Sequence, residues 1–390
     1  MNRMSARFPI GILQLGLLAA CAASTASSER KTPPAASAPQ AHKEKTVAQE
    51  TLDLGLADDD YWKDPFRTRA EIEGKLLDAG REALLVGAPR TVSLQEREFL
   101  PVLVERVATL DHMARLPFRP HAVLTAVDLK ANTVYAYMAI VEDVQEPERY
   151  DGPPLEGMGG EAFVLNARSQ LNLPWAPGPL LLGIVMRDQV SNRVRVELKK
   201  VGYADPAVAE YRDGREKALE PPPVSPAAAV SPLEMKGHDP ARQPPLPCYS
   251  RWSGSPGIPA APGIALAADR VVPMTGKTAC VVRGSFRLPI RERDKVKNAP
   301  ARTGDIHDQP TAIVGITLLL TGSESAMPVL IPLKVPSYDP LQAETVDATG
   351  YFTVDLAQIR NITGIEQTWF IYALSGEIMA GPVPVALVKQ

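Results

Sequence analysis

VSNRVRVELKK at residues 190–200 and MAGPVPVALVK at residues 379–389 decide how this chain is read, because they are two versions of one strand. Val194, Val196, Leu198 and Lys200 stand against Val383, Val385, Leu387 and Lys389, each 189 residues further on. Apolar residues at every second position place one side chain set on one face of an extended strand. At the same spacing AVLTAVDL (122–129) faces TAIVGITL (311–318) and Phe163 faces Phe352. Tyr150-Asp151 and Tyr338-Asp339 pair with a slip of one, and RLPFR (115–119) matches RLPIR (287–291), with about 17 extra residues after the second. Alternation alone explains one such match. Several at one nearly constant spacing point to a divergent duplication of a β domain.

Working outward, strands are expected from Val123, Thr125, Val127 and Leu129, from Val134–Val141, Phe163–Leu165, Leu171–Leu173, Leu180–Met186 and Val194–Leu198. Short strands separated by Gly, Pro and Asn turns imply β-sandwiches at 117–200 and 266–390. Upstream, residues 58–116 have another rhythm. Thr68-x-x-Glu71 and Ser93-x-x-Glu96 are capping-box patterns. Ile72, Leu76, Leu77, Leu84 and Leu85 follow the first, with Gly87 and Pro89 as a stop. Phe99, Leu100, Leu103, Val104, Val107 and Leu110 follow the second, with Pro101 predicting a kink. The expectation is a helical hairpin. The fold class is therefore mainly β with a small α part: two tandem, related sandwiches preceded by that hairpin.

The closing segments GPLLLGIVMRDQVSNRVRVEL and TWFIYALSGEIMAGPVPVAL resemble the final hairpin of immunoglobulin-like and fibronectin-type sandwiches. The Cys…Trp…Cys framework of immunoglobulin domains is absent.

The N-terminus carries a different message. Arg3 and Arg7 precede an apolar run from Ile10 to Ala20 that is too short to remain as a membrane span. Leu18-Ala19-Ala20-Cys21 closes it. Here the chain resembles bacterial lipoprotein precursors over about the first twenty residues. The resemblance implies a signal peptide at 1–20, cleavage before Cys21 and acylation (palmitate among the chains) of that cysteine. Ala22 after the cysteine, rather than an aspartate, implies sorting from the periplasm to the cell outer membrane. Residues 21–57 are rich in Ala, Ser, Thr, Lys and Pro and read as a disordered tether. A flexible coil of about 36 residues reaches roughly 30–36 Å.

Composition excludes several classes. Net charge is -3, which makes no electrostatic case for nucleic acid. Thirty-eight prolines are about twice ordinary usage and belong to linkers, edges and turns. They concentrate at 201–265, read as a Pro-rich linker lying extended across domain surfaces, with a possible short helix at Pro206–Leu219. With Cys21 lipidated, Cys248 and Cys280 remain as an even pair in an exported chain, so a disulfide between them is expected. Closing a loop of about 33 residues contributes roughly 3–4 kcal/mol.

No catalytic, cofactor or metal constellation emerges. His42, His112, His121, His238 and His307 are scattered, and Asp305-x-His307-Asp308 lacks the further ligands a metal needs. Asp58-Asp59-Asp60 lacks calcium-loop spacing, and Gly254-Ser255-Pro256-Gly257 is a turn rather than a nucleophile elbow. Trp175 and Trp369 read as core. Trp252, in a Pro/Gly loop, reads as a partner anchor or a pin for the linker. The functional expectation is a non-enzymatic envelope scaffold in a secretion, motility or surface assembly, held to the bilayer and docking other envelope proteins. The alternative is an envelope hydrolase or carbohydrate-binding lipoprotein with a site between the sandwiches, which requires a pocket with two acids and an aromatic.

Overall fold

Why the strands fall where they do is clearest at Pro101–Thr109, PVLVERVAT, which is buried on both faces. A run apolar on both sides has no period to distinguish helix from strand, so pairing decides. It pairs with Ala83–Gly87 on one side and Met158–Asn166 on the other. The structure is a computed structural model and describes residues 80–94, 100–140, 152–200, 249, 251, 253–273, 280–295, 310, 312–324, 327–337, 347–358, 362 and 366–389. These all belong to one compact unit, Lys45–Gln390.

The strands in chain order are β1 (Ala83–Gly87), β2 (Thr91–Ser93), β3 (Pro101–Thr109), β4 (Ala122–Asp128), β5 (Thr133–Met138), β6 (Met158–Asn166), β7 (Gly178–Met186), β8 (Gln189–Val190) and β9 (Val194–Lys199). They continue as β10 (Gly263–Ala268), β11 (Val271–Pro273), β12 (Val281–Pro289), β13 (Ala312–Gly322), β14 (Val329–Ser337), β15 (Asp347–Asp355), β16 (Gln367–Ser375) and β17 (Ile378–Val388). Among the described residues of the first half, short helices α1 (Leu110–Arg115) and α2 (Ala167–Gln170) punctuate the strands, with an irregular helical turn at Phe118–His121 between α1 and β4. The chain is mainly β.

Among the described residues four sheets result: β1-β3-β6, β2-β9-β7-β4-β5 with β8 on β7, β11-β17-β16-β13-β14, and β10-β12-β15. Core clusters give their stacking. Val104 and Leu165 share one core with Leu124, Leu182 and Val196, so the first two sheets face each other. Phe286 and Phe352 share another with Leu318, Ile371 and Val385, which pairs the last two. A third cluster joins Val123, Val127, Leu181 and Val185 to Leu319, Leu330, Tyr372 and Leu374. Alternate residues of β7 thus serve two cores, Leu182 and Ile184 inside the sandwich and Leu181 and Val185 outside it.

The second half repeats the ladders of the first. Ala83 opposite Val107 becomes Gly263 opposite Arg287, each 180 residues on. Thr91 opposite Glu197 in the parallel β2–β9 pair becomes Val271 opposite Ala386 in β11–β17. Gly178 opposite Leu198 becomes Gln367 opposite Leu387, each 189 on. Val123 opposite Met138 becomes Thr317 opposite Pro332, each 194 on. The match of 190–200 with 379–389 and of Phe163 with Phe352 therefore holds in three dimensions.

Other expectations need correction. AVLTAVDL and TAIVGITL are out of register by five, because Ala122 corresponds to Ile316. RLPFR and RLPIR are not equivalent: Arg287–Pro289 ends β12, whereas Arg115 ends α1. The helical hairpin at 58–116 is replaced, over its described residues, by β1, β2 and β3. Leu84 and Leu85 lie in β1, and Pro101 begins β3, where a missing N–H is tolerated. Thr68, Glu71, Ile72, Leu76, Leu77, Glu96 and Phe99 lie outside the described residues. The first sandwich accordingly starts at β1 rather than at 117, and the second at Gly263 rather than 266. Leu171–Leu173 follows α2 and is not a strand. Tyr150, Asp151, Tyr338 and Asp339 are outside the described residues.

The described last part of the Pro-rich region lies against the second sandwich. Ser285 Oγ donates to Gly257 O at 2.7 Å and Arg287 Nε to Pro259 O at 2.8 Å. Arg251 stands 6.0 Å from the Tyr351 ring centroid, and Gly254 turns at φ +81°. Pro206–Leu219 and most of the proline tract are outside the described residues.

Candidate functional site

The seam between the two sandwiches is where the duplicated faces meet, and it carries a set of specific side-chain to backbone contacts. Each copy contributes a two-residue hairpin turn, Arg187-Asp188 after β7 and Gly376-Glu377 after β16, with Arg187 at φ +52° and Gly376 at φ +56°. These turns are equivalent, 189 residues apart, and both carbonyls are held by the other copy. Arg187 O accepts from the Tyr372 hydroxyl. Gly376 O accepts from Arg193 Nη2 at 3.4 Å. Tyr372 corresponds to Gly183, and the space an aromatic ring would need there is taken by the Arg193 stem, 3.3 Å from where a Cβ at 183 would lie.

The pattern repeats one strand along. Leu129 O accepts from Arg291 Nη1 at 2.9 Å, and its equivalent Ser323 O accepts from Arg187 Nη2 at 2.8 Å. Asn132, at φ +55°, donates to Gly315 O at 2.9 Å and accepts from Gly376 N at 2.7 Å. Asparagine tolerates this left-handed geometry better than most residues. Burial brings Arg193 down to about 10, opposed by the nearby Glu377 carboxylate. Tyr372 is completely buried, and that burial pushes its hydroxyl pKa up. The seam is thus a quasi-isologous interface closed inside one chain.

At one end of the seam a crevice of about 480 Å³ opens between Asn132, Arg195, Arg291, Asp294, Gly315 and Glu377. It contains two acids, as the hydrolase alternative requires, yet among the described residues its lining contains no Phe, Tyr or Trp. Its polar groups are already paired with one another. Arg195 Nη1 meets Glu377 Oε1 at 3.2 Å, Arg291 N donates to Asp294 Oδ2 at 3.1 Å, and Ser375 Oγ donates to Gly315 O at 2.7 Å. The Arg195–Glu377 pair is 58% and 63% exposed, where such pairs contribute about 0–1 kcal/mol.

A second cluster occupies the end of the first sandwich. Arg106 follows Val102 and Val104 on the core-facing side of β3 and is fully buried. Its register partner Glu161 accepts from Nη1 at 2.9 Å, while Nε and Nη2 have no hydrogen-bond partner among the described residues. Burial lowers the Arg106 pKa, and Glu161 and Glu82 oppose that. Glu82 accepts from Thr109 N at 3.0 Å and meets His112 Nδ1 at 2.9 Å, which ties the start of β1 to α1. In the second sandwich the corresponding pair is Phe286 and Gly350, with the Phe286 ring lying over the glycine. One copy holds an ion pair where the other holds an aromatic ring.

Burial raises the Glu82 pKa, but the Thr109 amide and the His112 ring outweigh it and leave the carboxyl below its ordinary 4.5. A depressed acid stabilises the fold above its unfolded value, and that contribution fades as pH falls through the folded value. Glu82→Gln is expected to lower stability at pH 7 by up to about 1 kcal/mol and to flatten the loss of stability between about pH 5 and pH 3. Urea midpoints across that range check it. An unchanged acid limb would remove Glu82 from the account.

Of the residues singled out in the sequence, Cys21, Cys248, Trp252, His42, His238 and the Asp305–Asp308 cluster are outside the described residues. Cys280 is a buried thiol whose pKa burial pushes up to about 12, with Asp355 and Asp269 adding to it, so it is no thiolate nucleophile. Trp369 is core, and Trp175 is half-buried with its Nε1 donating to Leu94 O at 3.2 Å. Among the described residues, no group of three or more His, Cys, Asp or Glu could hold a metal, and no helix is long and apolar enough to cross a membrane. Arg106, Glu161, Arg187, Arg193 and Tyr372 were not singled out. For Arg106 a signal existed: Glu105-Arg106 interrupts an otherwise apolar run.

No family model matches the chain, and no curated protein resembles it in sequence. A solved structure described as a biofilm-associated protein, BSP domain, is 7% identical, with 78% of this chain and 59% of that chain covered and a TM-score of 0.12. The chain thus spans less than two thirds of that protein, and a TM-score of this size carries no argument about fold or function.

Proposed function

We propose that this chain is a lipid-anchored cell-envelope protein that acts as a non-enzymatic scaffold in an outer-membrane assembly. The single observation that carries the reading is Leu18-Ala19-Ala20-Cys21 at the end of a short apolar run behind Arg3 and Arg7. Several acyl chains on one residue hold a protein at a bilayer effectively permanently, since each buried methylene contributes about 0.8 kcal/mol. The tether then sets reach, and the two related, Ig-like sandwiches, products of a duplication, present edges and loops to other envelope proteins. Two features support the scaffold over an enzyme: the seam joins the copies through many specific contacts, and the crevice beside it has its acids tied to arginines with no aromatic platform. The same compartment would oxidise Cys280, a buried thiol in the structure, together with Cys248 to the disulfide expected from the sequence. Nucleic acid is not among the partners, given the net charge of -3.

The test is direct. The wild-type chain is expected to incorporate labelled palmitate and to fractionate with the outer membrane, and Cys21→Ser is expected to lose the label and appear in the soluble fraction. Crosslinking of envelopes should then recover partner proteins with the wild type only. A soluble, unlabelled wild-type chain would overturn the reading.

A further inference from the structure

β6 is the outer strand of its sheet, and its pairing shows which backbone groups are already used. Ala167 N donates to Leu100 O at 2.8 Å, and Leu110 N donates to Gly157 O at 3.0 Å, one at each end of the β3–β6 ladder. Antiparallel alternation carries that parity between them, so Gly159, Glu161, Phe163 and Leu165 face β3. Gly160, Ala162 and Val164 turn their N–H and C=O groups outward. Gly160 is exposed and the other two are half-buried, and these outward groups meet no partner among the described residues.

The second copy treats the same edge differently. There the outward residues of β15 are Thr349, Tyr351 and Thr353. Ser337, at the end of β14, donates its Oγ to Thr349 O at 2.8 Å, and Thr353 is fully buried. Among the described residues, one edge is covered and its duplicate is open. An open edge with unpaired backbone groups is a template for another strand.

We propose that β6 pairs with the β6 of a second copy of this chain, antiparallel, about a two-fold axis at Ala162. Val164 then lies opposite Gly160 of the second copy, and each outward N–H finds a carbonyl. The strand suits itself as partner for three reasons. Its outward residues are centred on Ala162, which makes the edge its own complement. Gly160 and Ala162 are small, so the backbones can approach. The charge beside the axis, Glu161, is already held by Arg106 at 2.9 Å, so no unpaired like charges meet. Because β15 is covered, pairing of this kind closes at two copies.

Sedimentation of the chain from residue 21 onward, carrying Cys21→Ser so that acyl chains do not associate, reads the result. The expected mass is twice that of one chain. Ala162→Pro removes an N–H that faces away from β3 and should give a monomer. Ala162→Lys and Ala162→Glu should each be monomeric, and their equimolar mixture should regain the doubled mass because opposite charges meet at the axis. That rescue separates lost pairing from lost folding. A wild-type monomer at every concentration, a dimer that survives Ala162→Pro, or folded charge variants that fail to combine would each overturn the proposal. So would a monomer whose β6 edge instead captures a strand of foreign sequence.

Discussion

Glu161→Ala is expected to destabilise the first sandwich by about 3–5 kcal/mol, the cost of leaving a buried guanidinium without its counter-charge. Arg106 is fully buried, and its Nη1 forms an ion pair with Glu161 Oε1 at 2.9 Å. Glu82 acts on it more weakly and is itself engaged with Thr109 and His112. The second sandwich supplies the control. Its Phe286 over Gly350 fills the same ladder position without charge. The double variant Arg106→Phe, Glu161→Gly is therefore expected to match the wild type or exceed it by about 1–4 kcal/mol, as apolar replacements of buried ion pairs can. Urea denaturation of the two variants side by side checks this. Equal destabilisation by both would mean that the surroundings of Arg106 have no room for a ring, and the equivalence of the two copies would fail at that position.

Tyr372→Ala is the second large effect, expected at about 3–5 kcal/mol for an aromatic truncated in a packed core. The residue is buried between the copies, among Val123, Val127, Leu181 and Val185 on one side and Leu319 and Leu374 on the other. Tyr372→Phe isolates the hydroxyl bond to Arg187 O and should cost about 1 kcal/mol. The readout is the shape of the transition as well as its midpoint. If the seam couples the sandwiches, loosening it should split one cooperative unfolding step into two. A single transition shifted by less than about 1 kcal/mol would show that each sandwich is stable without the seam.

The repeat was legible because its strands follow the pleat. Val194, Val196 and Leu198 point into one core while Arg195 and Glu197 point away, and the same alternation recurs at Val385 and Leu387. β3 was not legible. Val102, Leu103, Val104 and Val107 are all buried, which erases period two, and a capping-box pattern before them then suggested a helix. The five-residue error at β4 has a similar origin: β13 is longer than β4, and β4 and the second half of β13 are buried at nearly every position, so no alternation marks the register there.

The motif Leu18-Ala19-Ala20-Cys21, the Ala/Ser/Lys/Pro-rich composition of 21–57, the proline richness of 201–265 and the strand repeat are all readable from sequence alone, because each rests on composition or on local period. Which strands complete the unit, and what the unit packs against, came only from tertiary structure. Tyr372 and Gly183 occupy one position in two copies, and no column of sequence shows that the ring of one reaches the turn of the other. Arg106 likewise reads as a surface charge until β6 sets Glu161 opposite it. A face is a property of the chain; its partner is a property of the fold, since burial and pairing arise between residues that local rules cannot connect.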